Sequence, residues 1–368
     1  MNILFLNNHL NVGGITSYLL SLSRGLKERG HKVYIASSPG DCLTRFTEQG
    51  IVYIPIPIRT KSELNVFKMG ISLFKLIRAV REKEIDVVHS NTRVTQVLGD
   101  LLSRCTGKPH ITTWHGFFKN RLSRKIFPCK AGATIAISES VRDHLINDFG
   151  YEQAGLRLVY NGIDTEKLRL QDFKSRKEAK KDFGLKDGPV VGIVARLSEV
   201  KGQAYLIRAM KLALNKVPDA QLFIVGEGRT EKGLKRLVRE LGISNSVVFL
   251  AKSQNIPQVL YVMDVFVMPS LNEGLGLGLM EAMAWAKPVI GSRVGGILNL
   301  ISHGQNGLLV NPCDVPGLCS AIVELINDPV KASSLGNNAR IFVNQRFSMQ
   351  KMVEETERIY RECSDKKD

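Results

Sequence analysis

PSLNEGLGLGLMEAMAWAKPVIGSRVGGILNLI, residues 269–301, is the stretch from which the rest of the chain is read. Just before it, the apolar run VFVM (residues 265–268) is short and β-branched enough for a buried strand. Pro269 and Ser270 then open a loop carrying Gly274, Gly276 and Gly278. From Leu277, the run LGLMEAMAWA is rich in Leu, Met and Ala and predicts a helix that Lys287-Pro288 stops. Val289-Ile290 starts another strand, and Gly295-Gly296 opens a turn before residues 298–302.

Two carboxylates frame this loop. Glu273 precedes the glycines and Glu281 lies eight positions on, within the helix. On one continuous helix they would stand about 80° apart around the axis, but the glycines put Glu273 on the loop and leave Glu281 projecting from the first turns. Flexible backbone at a helix start can turn its N–H groups outward, which suits an anionic ligand. One arrangement is a phosphate over Leu275, Gly276 and Leu277, with a polar group bound at each end. The other is a plain surface loop, with Glu281 an ordinary acid favoured by the helix dipole. The loop by itself does not separate them.

At 368 residues the chain is too long for most single cores and suits two domains. With 44% hydrophobic and 23% charged residues it has the composition of an ordinary globular protein. Cys42, Cys105, Cys129, Cys313, Cys319 and Cys363 are scattered without a CxxC pair, which favours reduced thiols and a cytosolic setting. No run approaches the ~20 apolar residues of a membrane span, and MNILFLNN lacks a basic leader, so neither a secreted nor an integral membrane protein is expected. The net charge of +16 asks for an anionic partner: lipid, nucleic acid, or an acidic small molecule such as a sugar nucleotide. About ten of the excess positive charges fall before residue 170 and about six after it. No helix-turn-helix, zinc spacing or RNP-like strand is present, which disfavours nucleic acid.

In chain order, residues 3–6 predict a strand, Gly13-Gly14 a loop, then a helix with Tyr18, Leu19, Leu22 and Leu26 inward, and residues 33–36 a second strand. This is a βαβ unit of a parallel sheet, but its glycine spacing is not GxGxxG, which disfavours a dinucleotide. Strands follow at residues 51–58, 86–90, 111–114 and 135–138, with helices over 65–81 and around 94–105. The helix over 65–81 sets Val66, Met69, Leu73, Phe74 and Ile77 against Lys68, Lys75, Arg78 and Arg81. It is either a surface helix of a Rossmann-like domain or a face that rests on an anionic membrane. His115-Gly116 sits just past a strand end, where open α/β sheets bind ligands, although a lone His there is most often structural. Beyond it, Phe117, Phe118, Lys119, Arg121, Arg124, Lys125 and Phe127 are either a solvated basic loop or a membrane or acceptor contact.

Residues 165–188, rich in Lys and Glu, are expected to link two domains. The second begins with a continuous apolar strand over 190–195 that delivers Arg196, with Lys201 five residues later at a helix start. Two such cations are what a diphosphate needs: a point charge from the Lys and a two-pronged donor from the Arg. A strand over 221–225 ends in Gly226-Glu227-Gly228, a short strand over 247–250 precedes a turn at 251–254, and helices close the chain, the last over 349–363.

The stretch 269–301 resembles the E-x7-E signature of the retaining GT-B glycosyltransferases, specifically glycosyltransferase family 4. Both acids, the glycine after the first, the LMEAMA run, Lys-Pro-Val and Gly-Gly stand in register with that signature. Trp285-Ala286 and Asn299 depart from it. The family's other elements are met by Gly13-Gly14 through residues 30–33, by VYNGID (159–164), by Arg196-Leu197 with Lys201-Gly202, and by HGQNGLLVNPCD (303–314). The resemblance implies a GT-B fold, two Rossmann-like domains facing across a cleft: residues 1–168, completed by the terminal helix 349–363, on the acceptor side, and residues 187–346 on the nucleotide-sugar side. It implies catalytic roles for His115, Glu273, Arg196 and Lys201. Glu273 would contact the donor sugar, Glu281 the ribose, and His115 would lie by the sugar. Gly13, Gly14, Gly226, Gly274, Leu275, Gly276 and Leu277 would join Arg196, Lys201 and Glu281 in holding the donor.

The function so implied is transfer of a sugar from a nucleotide diphosphate sugar, UDP- or GDP-linked, to a hydroxyl acceptor with retention. No permanently bound cofactor and no metal are expected, since Asp-x-Asp is absent and Arg196 with Lys201 can neutralise the leaving diphosphate. The expected setting is cytoplasmic, peripheral on the inner face of the membrane, with a glycan, glycolipid or lipid-linked acceptor of lipopolysaccharide, capsule or other surface-glycan synthesis. A GT-B sugar-nucleotide epimerase, a transferase acting on a soluble small acceptor, and a non-catalytic binding protein are the rivals. A retaining glycosidase would need both carboxyls about 5–5.5 Å apart across one bond, which two acids on different parts of a donor do not provide.

Overall fold

The computed structural model describes residues 1–60, 65–118, 131–164, 174–251 and 255–365. They form two compact units, Met1–Gly162 with Met349–Asp368, and Ile163–Ser348. Lys119, Arg121, Arg124, Lys125 and Phe127 of the basic loop, residues 165–173 of the expected linker and residues 252–254 of the turn lie outside the described residues.

The first unit is built on seven strands: β1 Asn2–His9, β2 Lys32–Ser38, β3 Val52–Pro55, β4 Val87–Ser90, β5 His110–Trp114, β6 Ala133–Ala136 and β7 Leu156–Leu158. All pair in parallel in the order β3-β2-β1-β4-β5-β6-β7, with Phe5 flanked by Ile35 and His89. Their apolar runs are continuous rather than alternating because helices cover both faces. On one face Leu19, Leu22 and Leu26 of helix Gly14–Glu28 pack with Met352, Val353 and Tyr360 of helix Met349–Asp365. On the other, Met69, Leu76 and Val80 of helix Val66–Glu82 pack with Leu98 and Leu102 of helix Arg93–Thr106. The terminal helix is also tied by charge. Burial alone would raise the Glu357 carboxyl, but hydrogen bonds from Arg361, Arg29 and His31 outweigh it and hold the group at about 2.

Six strands form the second unit's sheet: β8 Val190–Val194, β9 Gln221–Val225, β10 Val247–Leu250, β11 Val265–Met268, β12 Val289–Ser292 and β13 Leu308–Val310. They too are parallel, in the order β10-β9-β8-β11-β12-β13. The order in which strands are added therefore reverses once in each sheet, between β1 and β4 in the first and between β8 and β11 in the second. Ligands of open α/β sheets bind at such reversals, beyond the carboxyl ends of the strands.

Three local expectations change. The strand expected over 51–58 spans only Val52–Pro55, because Pro55 and Pro57 offer the ladder no N–H. Strand β7 was not expected, being only three residues long. The stretch expected to be a linker carries helix Arg176–Asp182, which Ser175 and Glu178 start with a capping box. Ala179 is fully buried, Lys180 donates to the Gly188 carbonyl at 2.7 Å, and Arg176 reaches Asp264 Oδ1 at 2.6 Å. These residues belong to the second unit rather than running free.

Candidate active site

In the second unit the loops after β8, β9, β11 and β12 gather at one edge of the sheet, around its reversal. After β8 come Arg196 and, in the single turn Glu199–Lys201, Lys201. After β11 comes the loop of Ser270 and Glu273. The two loops are stitched by the Leu271 N–H donating to the Val200 carbonyl at 2.8 Å. Gly202 makes the close approach possible. Its φ is +69°, and a Cβ there would sit 1.9 Å from the Pro269 carbonyl oxygen. The Gln203 side chain donates to the Arg196 carbonyl at 3.0 Å, which fixes the turn that presents Arg196 to solvent.

Lys201 and Glu273, expected to hold different parts of a ligand, are bonded directly to each other, Nζ to Oε2. The Ser270 hydroxyl donates to the same carboxylate oxygen at 3.2 Å. Both ionic side chains are largely buried, so each neutralises a charge that would be costly alone. The Gly296 N–H donates to the Glu273 carbonyl at 2.8 Å, which brings the Gly-Gly turn after β12 onto the same loop.

Helix Leu277–Ala284 starts at Gly276, whose φ of +101° a side chain would resist, and no side chain caps its first N–H groups. Gly274, Leu275, Gly276 and Leu277 thus lead into an uncapped helix start beside Glu273. Glu281 is the fifth residue of that helix, which begins at Leu277 as expected and holds it in the early turns. It is half-buried, and burial pushes its carboxyl up to about 7. Gly226 follows β9 and lies against Ala195, where a Cβ would stand 2.1 Å from the Ala195 oxygen.

The first unit carries its own cluster at the β1/β4 reversal. Gly13 and Gly14 are exposed at the uncapped start of helix Gly14–Glu28. His115, just past β5, is half-buried; its Nε2 lies 3.1 Å from Asn91 Oδ1, and its ring meets Tyr18 edge-on at 4.7 Å. Burial lowers the His115 imidazole to about 3, so it is neutral near pH 7. Behind it runs a buried polar chain. Tyr18 OH is 3.4 Å from Thr113 Oγ1, Thr113 Oγ1 is 2.7 Å from His89 Nε2, and His89 Nδ1 is 2.6 Å from the Tyr360 hydroxyl. Burial, with the nearby His115 and His110, holds His89 well below the ordinary imidazole range.

Asn91 was not named from sequence, and Tyr18 and Ser270 were read only as an inward helix position and a loop start. For Asn91 a signal existed: it follows a buried strand directly, at its carboxyl end. Among the described residues no cluster of three or more His, Cys, Asp or Glu could hold a metal ion, and no helix is long and apolar enough to cross a membrane.

Two Rossmann-like units, one with cations and a carboxylate at its reversal and one with a glycine helix start and a neutral histidine, define a two-domain α/β protein of GT-B type. Over 98% of this chain and 99% of the other, Anabaena HepE, solved with UDP and glucose, has the same fold at a TM-score of 0.87 and 24% identity. Residues 12–167 match Glycosyltransferase Family 4 and residues 175–342 match Glycosyl transferases group 1. The chain belongs to the group 1 glycosyltransferases. Its relatives include the capsular polysaccharide biosynthesis glycosyltransferase CapM of Staphylococcus aureus, 29% identical over 91% of each chain. Another is the UDP-Gal:alpha-D-GlcNAc-diphosphoundecaprenol alpha-1,3-galactosyltransferase of Escherichia coli, 28% identical over 84% of this chain and 82% of the other.

Proposed function

We propose that this glycosyltransferase moves a sugar from a UDP- or GDP-sugar to a hydroxyl of a glycan or lipid-linked acceptor, with retention and without a metal, in surface-glycan or glycolipid synthesis. The observation that carries the reading is the pairing of Lys201 with Glu273 beside exposed Arg196 at the reversal of the second sheet. Paired with each other, the Lys and Glu charges cancel. When a donor enters, its diphosphate draws Lys201 and Arg196, and Glu273 turns to the sugar hydroxyls. Glu281 accepts from the ribose hydroxyls, and two such donors favour its ionised form. As the bond from the sugar's anomeric carbon to the diphosphate breaks, charge grows on the leaving oxygen, where the two cations are placed to meet it. The acceptor oxygen bonds that carbon from the same face, and its proton passes to an oxygen of the departing diphosphate. His115, neutral at working pH, serves as a hydrogen-bonding partner of the sugar rather than as a cation.

The diphosphate-bound undecaprenol of the Escherichia coli relative's acceptor supports a lipid-linked acceptor and a peripheral place at the membrane. Calorimetric titration with UDP-, GDP- and ADP-sugars, followed by transfer in excess EDTA and assignment of the product anomer by NMR, tests the whole reading. One base is expected to bind best, the anomer is expected to be kept, and turnover is expected to survive EDTA. An inverted product, or activity lost to EDTA and restored by Mg²⁺, overturns the corresponding part. Release of free nucleotide diphosphate only when acceptor is present excludes the epimerase.

A further inference from the structure

Helix Val66–Glu82 has an inner and an outer apolar face. Met69, Leu76 and Val80 face inward and are buried in the core. Phe67, Ile71 and Phe74, spaced i, i+4 and i+7, fall on one outward stripe. Phe67 is 78% exposed and Phe74 74%, and Val66 at the helix start is 78% exposed. Large apolar side chains in a contiguous exposed stripe mark a surface that something covers. Around the stripe stand Lys68, Lys75, Arg78 and Arg81, and Glu82 is the sole acid of the helix, already paired with Arg78 at 2.5 Å.

We infer that this outward face docks the enzyme on an anionic lipid bilayer, with Phe67, Ile71 and Phe74 seated among the headgroups and the basic residues over the phosphates. The chemistry selects lipid over a second copy of the chain. A stable protein interface buries about 800 Å² on each side, whereas two phenylalanines supply on the order of 300 Å². An interfacial helix needs only an apolar stripe flanked by cations, and a partner copy would set Lys68, Lys75 and Arg81 against their own kind. The inference deepens the proposed membrane contact by naming the element that makes it, but lipid binding by this face stands apart from the choice of donor.

The test is flotation of the full chain with phosphatidylcholine vesicles, with and without phosphatidylglycerol. Binding is expected with the anionic vesicles at low salt, and should vanish at about 0.5 M salt, where the Debye length is only a few Å. The variant Phe67→Ser with Phe74→Ser is expected to lower partitioning about tenfold or more, while affinity for UDP or GDP, read by calorimetry, stays as in the parent. Changing Lys119, Arg121, Arg124 and Lys125 to Ser should have the smaller effect. As a direct reporter, Phe67→Trp should shift its emission to the blue on adding anionic vesicles. Equal flotation of the phenylalanine variant and the parent, no emission shift in the Phe67→Trp variant, or loss of binding only in the basic-loop variant would each overturn the inference. So would a parent that dimerises through this face and ignores vesicles. Failure to bind any nucleotide with intact vesicle binding would instead count against the proposed function.

Discussion

The two sheet reversals share a topology and differ in charge. Before residue 170 the chain carries about ten of its sixteen excess positive charges, yet His115, Asn91, Tyr18 and two glycines at the reversal there are uncharged, and Arg93, two residues past Asn91, is the charge next along the chain. The second unit, of comparable net charge, concentrates Arg196, Lys201, Glu273 and Glu281 at its reversal. The point where a parallel sheet's strand order reverses decides where a ligand can sit. The residues after the strands decide whether that place holds ions or neutral polar groups. The first unit's positive charge is spent elsewhere, on the helix Val66–Glu82 among other surfaces.

The largest expected effect tests the ionic side. Replacing Arg196 and Lys201 together by Ala removes two charge-assisted contacts of about 1.5–3 kcal/mol each. Nucleotide affinity should fall by several hundredfold or more in calorimetry and transfer should be nearly abolished. Wild-type affinity in that variant would show that the charged reversal is not the donor site.

Acid should next separate the units by sign. His110 and His115 are held at about 3 by burial, and burial also holds His89 in the same unit well below the ordinary imidazole range. An imidazole lowered on folding contributes its full share above about 6.5, and stability is lost as pH drops toward 3, by up to about 1.4 kcal/mol per pH unit for each group. Glu281, raised to about 7, works oppositely. Between its unfolded value and 7 the folded state keeps a proton that the unfolded state releases, so the second unit gains about 1–3 kcal/mol as pH falls through that window. Among the shifted carboxyls of the first unit, Glu355 alone runs that way. Trp114 lies in the first unit and Trp285 in the second. Denaturant unfolding of Trp114→Phe and Trp285→Phe, each with one reporter left, should show the first unit weakening and the second strengthening from about pH 7.5 to 5.5. Glu281→Gln should erase the gain. Equal shifts of both units would break the comparison.

The smallest effect sharpens the neutral side. Asn91→Ala removes the 3.1 Å partner of His115 Nε2, a bond worth about 0.5–1.5 kcal/mol. Turnover should drop a few-fold with donor KM unchanged. A change in KM alone would move Asn91 from positioning the imidazole to binding the donor.

Strands read well from sequence wherever they were buried on both faces, as with β1, β8 and β11, because continuous apolar runs leave little ambiguity of type. The glycine loop of residues 269–301 was legible for the same reason, its glycines and prolines marking the turns. What stayed hidden depended on distance along the chain. Nothing local in Lys201 announces that Glu273, 72 positions away, is its partner, nor in His115 that Asn91 and Tyr18 hold it. Ser175 and Glu178 did carry a local signal, the spacing of a capping box, and the charged composition around them obscured it. The start of the Glu281 helix at Leu277 was legible from its glycines, whereas the burial that raises its carboxyl depends on packing that no local pattern encodes.

Helix Met349–Asp365 has a consequence for the order in which the protein can be made. Its Met352, Val353 and Tyr360 are core residues of a unit that otherwise ends at Gly162, and the Tyr360 hydroxyl satisfies buried His89. The nascent first unit therefore leaves the ribosome with an open apolar face and a histidine lacking its partner, and waits through the synthesis of the entire second unit. Residues 163–348 need nothing from the last helix for their own core and can fold while it is still being translated. A stop codon shortly before Met349 would leave the second unit whole and the first, though nearly all of its residues are present, unable to close.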